Sequence, residues 1–230
     1  MKCGVIIFPG SNCDKDLIEV LMQFNETETV EIWHKDTDLK NCTHIFLPGG
    51  FSYGDYLRSG AIAKLSPVMQ SVSNHAAKGG FVMGICNGFQ ILCESGLLPG
   101  ALLHNNDRKF ICDNVFIKPA NNNCQITNRI NPNQALKIPI AHGEGNYYAS
   151  DTVMQEMIDN QQIVFKYCDF DGNFTKESNP NGSLLNIAGI CNKEKNVFGI
   201  MPHPERASSN VLANTDGLQI FESIFSKTFV

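Results

Sequence analysis

The segment Phe81-Val-Met-Gly-Ile-Cys-Asn-Gly-Phe-Gln90 constrains this chain more than any other stretch. Phe81–Ile85 is a short apolar run, with the length and composition of a buried strand. Cys86 follows at once, with Gly84 and Gly88 two positions to either side, and an apolar-periodic segment then runs to Ser95. This is the Gly-x-Cys-x-Gly form of a nucleophile elbow, in which a strand turns sharply into a helix and holds one side chain at the tip. Small neighbours are required because the turn is tight. A thiol at a helix N-terminus also faces the positive end of the peptide dipoles, which favours the thiolate. Cys86 is therefore the candidate covalent nucleophile.

The flanking pattern is that of a parallel sheet. Residues 4–8 are a pure apolar run like Phe81–Ile85, 30–33 and 43–47 read as a second and a third strand, and helical patterns at 13–24 and 60–77 alternate with them. Continuous rather than alternating apolar strands suit a sheet covered by helices on both faces. In such sheets ligands gather at the carboxyl ends of the strands, where both Pro48-Gly49-Gly50 and Cys86 fall. After Gly100 the texture changes. Short strand candidates at 110–118, 124–128, 136–140 and 163–167 are separated by Asn-rich turns. Ile187–Cys191 and residues 197–201 flank a polar turn and read as a hairpin. A last amphipathic helix spans 216–225, with Leu218, Phe221, Ile224 and Phe225 on one side. No repeat or linker interrupts the chain, so the expectation is one α/β domain over 1–230 with a small antiparallel extension.

Composition excludes several functions. A net charge of −5 and no Lys/Arg run longer than two residues argue against nucleic acid or a polybasic membrane patch. The apolar start ends at Pro9, too short for a signal peptide or a membrane span. The nine cysteines are odd in number and form no Cys-x-x-Cys. They mostly lie in apolar segments, as expected of free thiols in a reducing cytoplasm.

A thiolate nucleophile needs a base and a group that orients the base. His203 follows an apolar strand in Met201-Pro-His-Pro-Glu205. Pro204 biases His203 toward an extended conformation. Residues two apart then share a side, so Glu205 can accept a hydrogen bond from the imidazole. Donors for an oxyanion are the N–H of Asn87, next after the nucleophile, and the glycine backbone at Gly50. His34, His44, His75 and His104 show no metal-ligand spacing with the cysteines, and no metal site is expected. His142, in Ala141-His-Gly-Glu-Gly145, sits in a loosened polar loop that can line a pocket. No Gly-x-x-x-x-Gly-Lys-Ser/Thr is present, so no phosphate-cradling loop of that kind supports ATP binding.

Taken together, Gly84-Ile-Cys-Asn-Gly88, Pro48-Gly-Gly50 and Pro202-His-Pro-Glu205 resemble the triad-type (class I) glutamine amidotransferases, which have a flavodoxin-like fold. The finer resemblance is to the glutaminase subunits of phosphoribosylformylglycinamidine synthase. It is carried by residues 8–14, 49–63 and 86–90, Ala141-His-Gly-Glu-Gly145, Asn179-Pro-Asn-Gly-Ser183 and residues 201–206. It spans the whole chain, and the block from Gly49 to Ala63 is its most specific part.

The resemblance implies hydrolysis of L-glutamine to glutamate and ammonia by Cys86, His203 and Glu205, with Gly50 and Asn87 as oxyanion donors. It implies Gly49, Phe51, Gln90, His142 and Gly143 as residues that hold glutamine. It further implies that the ammonia goes to a synthetase subunit, with a small third subunit in many bacteria. ATP and magnesium are expected on the synthetase, with no cofactor in this chain. The 51–63 loop is the expected partner-facing surface. Two other readings differ from this one at single positions. Cysteine-elbow hydrolases of the same fold typically carry His after the nucleophile, where this chain has Asn87. A non-catalytic binding relative would have lost one of Cys86, His203 or Glu205, and all three are present.

Overall fold

The strand candidates in the first hundred residues become four parallel strands, although the second carries Glu28 and Glu31 and buries only Ile32. The computed structural model describes residues 1–226. Its contacts divide the chain into two units, Met1–Pro99 with Asn196–Gly199, and Gly100–Lys195 with the chain from Ile200 onward. In chain order the first holds β1 (Lys2–Ile7), α1 (Asp14–Leu21), β2 (Glu28–Trp33), β3 (His44–Leu47), α2 (Pro67–Ala77), β4 (Phe81–Ile85) and α3 (Asn87–Glu94). The strands lie in the order β2-β1-β3-β4, all parallel. Every residue of β3 and β4 is buried.

Register places the site. Leu47 of β3 pairs with Gly84 of β4, so Gly49-Gly50 and Cys86 leave the sheet at the same carboxyl edge. The expected helix over 60–77 is in fact two pieces, a 3₁₀ turn at Ala63–Leu65 and then α2. Pro67 is the cause. A residue before proline is driven out of the helical region, and Ser66 is extended at φ −65°, ψ 141°. Proline then starts α2 at the position where its missing N–H costs least. Helix α1 is shorter than its 13–24 pattern at both ends.

The second unit holds β5 (Ala101–Leu103), β6 (Ile111–Pro119), β7 (Leu136–His142), β8 (Asn146–Tyr148), α4 (Asp151–Asp159), β9 (Ile163–Cys168), β10 (Ile187–Cys191) and α5 (Leu218–Phe225), and β11 (Val197–Ile200) enters it only at Ile200. Strands β10-β9-β6-β7 form an antiparallel array, and β5 pairs with β8 as a separate ribbon. In β7, Leu136, Ile138, Ile140 and His142 are buried, the alternation of a strand with one covered face. The connection from β10 turns where the Lys195 N–H meets the Asn192 carbonyl, and the Met201 N–H returns to the Ala188 carbonyl at 2.9 Å. Residues Val197 to Gly199 belong to the first unit, where β11 lies beside β4.

The strand expected at 124–128 is a run of turns. Thr127 donates its N–H to the Cys124 carbonyl, and its hydroxyl lies 3.1 Å from the Cys124 thiol. Such local bonds offer the backbone an alternative to a ladder. Helix α4 was not read from the sequence. It starts at Ser150, whose Oγ accepts the Val153 N–H, and it buries Met154 and Met157. Among the described residues, no helix is long and apolar enough to cross a membrane.

Candidate active site

The elbow in the first unit is built by steric exclusion. Cys86 has φ 49° and ψ −103°, an unfavourable backbone for a residue with a Cβ. The turn leaves no room beside it. A Cβ on Gly88 would lie 2.0 Å from the Leu47 carbonyl oxygen, and one on Gly84 would lie 2.5 Å from the Gly88 backbone. The Gln90 N–H bonds to the Cys86 carbonyl at 3.1 Å, which closes the first turn of α3 immediately behind the thiol. Cys86 is 4% exposed.

The two glycine loops at this sheet edge are tied to each other. The Phe51 N–H donates to the Gly10 carbonyl at 2.9 Å, and the Cys13 N–H to the Gly49 carbonyl at 3.3 Å. Gly50 has φ +143°, and a Cβ there would meet the Asn12 nitrogen at 2.7 Å. Asn87 connects this edge to α3 through its side chain. Its Oδ1 accepts the Ser52 N–H at 3.1 Å, and its Nδ2 donates to Gln90 Oε1 at 2.9 Å and Asp55 Oδ1 at 3.4 Å. Beyond it, Tyr53, Asp55 and Leu57 all have positive φ. The Tyr53 hydroxyl closes the loop on His34 Nδ1 at 2.7 Å and Ser66 Oγ at 2.9 Å. Phe51 is exposed, whereas Asn87 and Gln90 are buried.

In the second unit, His203 Nδ1 lies 2.6 Å from Glu205 Oε1, with both side chains buried. The route differs from simple extended geometry. His203 is at φ −103°, ψ 85°, and Glu205 lies on the 3₁₀ turn Pro204–Ala207. The His203 N–H is held by the Pro139 carbonyl at 2.8 Å. With a carboxylate on Nδ1, that nitrogen carries the proton and Nε2 is left as the basic atom. Glu205 Oε2 is buried with no hydrogen-bond partner among the described residues.

His142 ends β7 in the same unit. Asn105 orients it. Asn105 Oδ1 lies 3.1 Å from His142 Nδ1 and also accepts the Gly145 N–H, while Asn105 Nδ2 donates to the His142 carbonyl. The Asn105 N–H meets the Gly143 carbonyl at 2.9 Å. Asn181 and Ser183, from the Asn179–Ser183 signature, both donate to the Gly145 carbonyl. Burial, reinforced by nearby His203, pushes the His142 pKa down to about 4, so the ring is neutral near pH 7.

The structure thus gathers Gly49, Gly50, Phe51, Cys86, Asn87 and Gln90 in the first unit, and His142, Gly143, His203 and Glu205 in the second. Sequence reasoning did not single out Ser52, Tyr53, Asp55 or Asn105. The polar, glycine-rich texture of 49–63 was the available signal for the first three. Asn105 carried none, since its contacts to His142 and Gly145 span 37 and 40 residues of chain, and its one local side-chain bond, to the Lys109 carbonyl, is that of an ordinary turn.

Comparison with known proteins gives the family. Residues 1–225 match the family described as the CobB/CobQ-like glutamine amidotransferase domain. The chain is 52% identical over 224 residues to phosphoribosylformylglycinamidine synthase subunit PurQ of Gloeobacter violaceus, covering 97% of each chain. It is 55% identical to the subunit of that name from Koribacter versatilis, again covering 97% of each. Among solved structures it is similar to a chain of PurLQS from Thermotoga maritima, with a TM-score of 0.86, 42% identity, and coverage of 97% of this chain and 96% of that one. The glutaminase domain of Trypanosoma brucei CTPS, at 12% identity and a TM-score of 0.62, shares the fold. The chain belongs to the class I glutamine amidotransferases and, within them, to the PurQ family of phosphoribosylformylglycinamidine synthase subunits.

Proposed function

We propose that this chain is the ammonia-producing subunit of its synthase, working through a Cys86 thioester. The Cys86 thiolate attacks the side-chain amide carbon of L-glutamine. The oxyanion that forms is held by the N–H groups of Gly50 and Asn87. His203 gives a proton to the departing nitrogen, which leaves as ammonia. It then takes a proton from water, which attacks the thioester and releases glutamate. Glu205 keeps the His203 tautomer that this cycle needs. Gly49, Phe51, Gln90, His142 and Gly143 hold the glutamine.

The observation that carries the reading is the strained backbone of Cys86 at the start of α3, which the fold maintains at a cost in stability. The buried His203–Glu205 pair supports it. The ammonia goes to a synthetase subunit, which uses ATP and magnesium to make formylglycinamidine ribonucleotide; a small third subunit completes the assembly. This chain itself needs no cofactor. Free ammonia is protonated in bulk water, so delivery between subunits requires a shielded path. The complex works in the cytoplasm, where nine thiols that form no disulfide remain reduced.

The test is glutamate release from glutamine by wild type and Cys86→Ala, each with and without the synthetase. The variant is expected to release none, and ammonium salts are expected to restore amidine synthesis in its complex. Wild-type glutaminase activity in Cys86→Ala would disprove the mechanism.

A further inference from the structure

The second unit contains a hollow of about 310 Å³ that the glutaminase chemistry does not use. It is lined by Ala120, Met157, Ile158, Ile163 and Phe174, with polar edges at Asn121, Gln161 and Lys166. That volume is at the lower end of the range for small-molecule sites, and the apolar lining with few polar groups fits the same description.

The charge at its rim is unbalanced. Lys118 of β6 and Lys166 of β9 are directly opposed across the antiparallel ladder. Like charges so placed destabilise a sheet. Neither pairs with a carboxylate among the described residues. Both ammonium groups instead lie 4.7 Å from the centroid of the Phe174 ring. A cation–π contact offsets part of the cost of partial burial, but it leaves two positive charges focused on one ring. The nearby Asp169 carboxylate is occupied by the Asn173 backbone and side chain. Asn121 Nδ2 is taken up by the Gln161 and Ile163 carbonyls, Asn121 Oδ1 accepts the Asn123 N–H, and Gln161 Oε1 accepts from Asn123 Nδ2, so both amide oxygens at this edge already have donors.

Cations at the edge of an apolar floor whose lining holds no Asp or Glu select an anion attached to an apolar body. We propose that this hollow is a second ligand site, which binds a small organic anion with its phosphate or carboxylate on Lys166 and Lys118 and its body against Phe174, Met157 and Ile163. The proposal does not depend on the glutaminase mechanism.

The test uses methyl NMR of Met157, Ile158 and Ile163 in the full chain, titrated with phenyl phosphate, phenylacetate, benzyl alcohol and inorganic phosphate. At least one of the two aromatic anions is expected to move these methyl signals and to bind about tenfold tighter than benzyl alcohol, the scale of one charge-assisted hydrogen bond. The tighter of the two identifies phosphate or carboxylate as the recognised group. Lys166→Met and Lys166→Gln are expected to abolish the preference for the anion, and Lys118→Met to weaken it. The proposal is overturned if neither aromatic anion moves these signals at millimolar concentration. It is equally overturned if benzyl alcohol binds as tightly as the anions, or if a folded Lys166 variant binds them as the wild type does.

Discussion

The side chain of Asn87 accepts the backbone N–H of Ser52 at 3.1 Å, a bond between residues 35 positions apart. It ties the loop after β3 to the first residue of α3. The same side chain bridges Gln90 and Asp55. In the proposed mechanism the N–H of Asn87 faces the oxyanion, so its own side chain sets the direction of that donor.

Asn87→Ala is therefore expected to lower kcat for glutamine hydrolysis at least about tenfold with little change in KM, because a misaimed oxyanion donor affects the transition state most. Leaving the buried Ser52 N–H without its acceptor is expected to cost about 1–3 kcal/mol in denaturant unfolding. Alkylation of Cys86 by iodoacetamide, which forms no oxyanion, is expected to keep its rate. An unchanged kcat would refute the positioning role.

Replacing the nucleophile separates strain from chemistry. Cys86→Gly and Cys86→Ala both remove the thiol, but only glycine tolerates φ 49° and ψ −103° without a steric cost. Cys86→Gly is expected to be the more stable of the two by about 1 kcal/mol or more, measured by thermal melting. Equal stabilities would mean that the elbow carries no stored strain.

Glu205→Gln retains the size of the side chain and removes its charge. Glutaminase kcat is expected to fall by roughly 10²- to 10⁴-fold, the scale of general acid–base contributions. Melting temperature is expected to hold or rise, because one oxygen of this buried carboxylate has no hydrogen-bond partner. Near wild-type kcat would remove Glu205 from the mechanism.

Acid stability reports on His44 in β3, away from the elbow. Burial pushes its pKa from the ordinary 6.5 down to about 4, with the chain N-terminus and His75 adding to the effect. The folded state thus prefers the neutral ring. Its contribution is fully present above pH 6.5 and is lost as pH falls toward 4, where the unfolded chain binds the extra proton. Between those limits wild type is expected to lose on the order of 3 kcal/mol more than His44→Gln in denaturant titrations. His142, lowered to about the same value, adds a parallel loss in both proteins. Identical pH dependence in the two proteins would contradict a buried neutral His44.

Short-range physics explains what was legible. Strands β1, β3 and β4 were visible as apolar runs, since a strand covered on both faces has no need of polar alternation. Pro67 at the head of α2 divides the 60–77 helical pattern in two, because it drives Ser66 out of the helical region. The 124–128 segment has strand-like composition, but Cys124 and Thr127 bond to each other and close a turn. Helix α4 was passed over because its apolar face is only two buried methionines and its flanks are polar.

By itself the sequence determined the elbow. An apolar run followed by Gly84, Cys86 and Gly88 leaves few ways to turn, because any Cβ at the glycine positions collides with backbone. It likewise placed Glu205 within reach of His203, two residues along a proline-stiffened segment. Only the tertiary structure decided how those groups are held. The Ser52–Asn87 bond and the Asn105–His142 bond join positions 35 and 37 residues apart. Such bonds are set by strand register and loop closure, and no local periodicity in the chain encodes them.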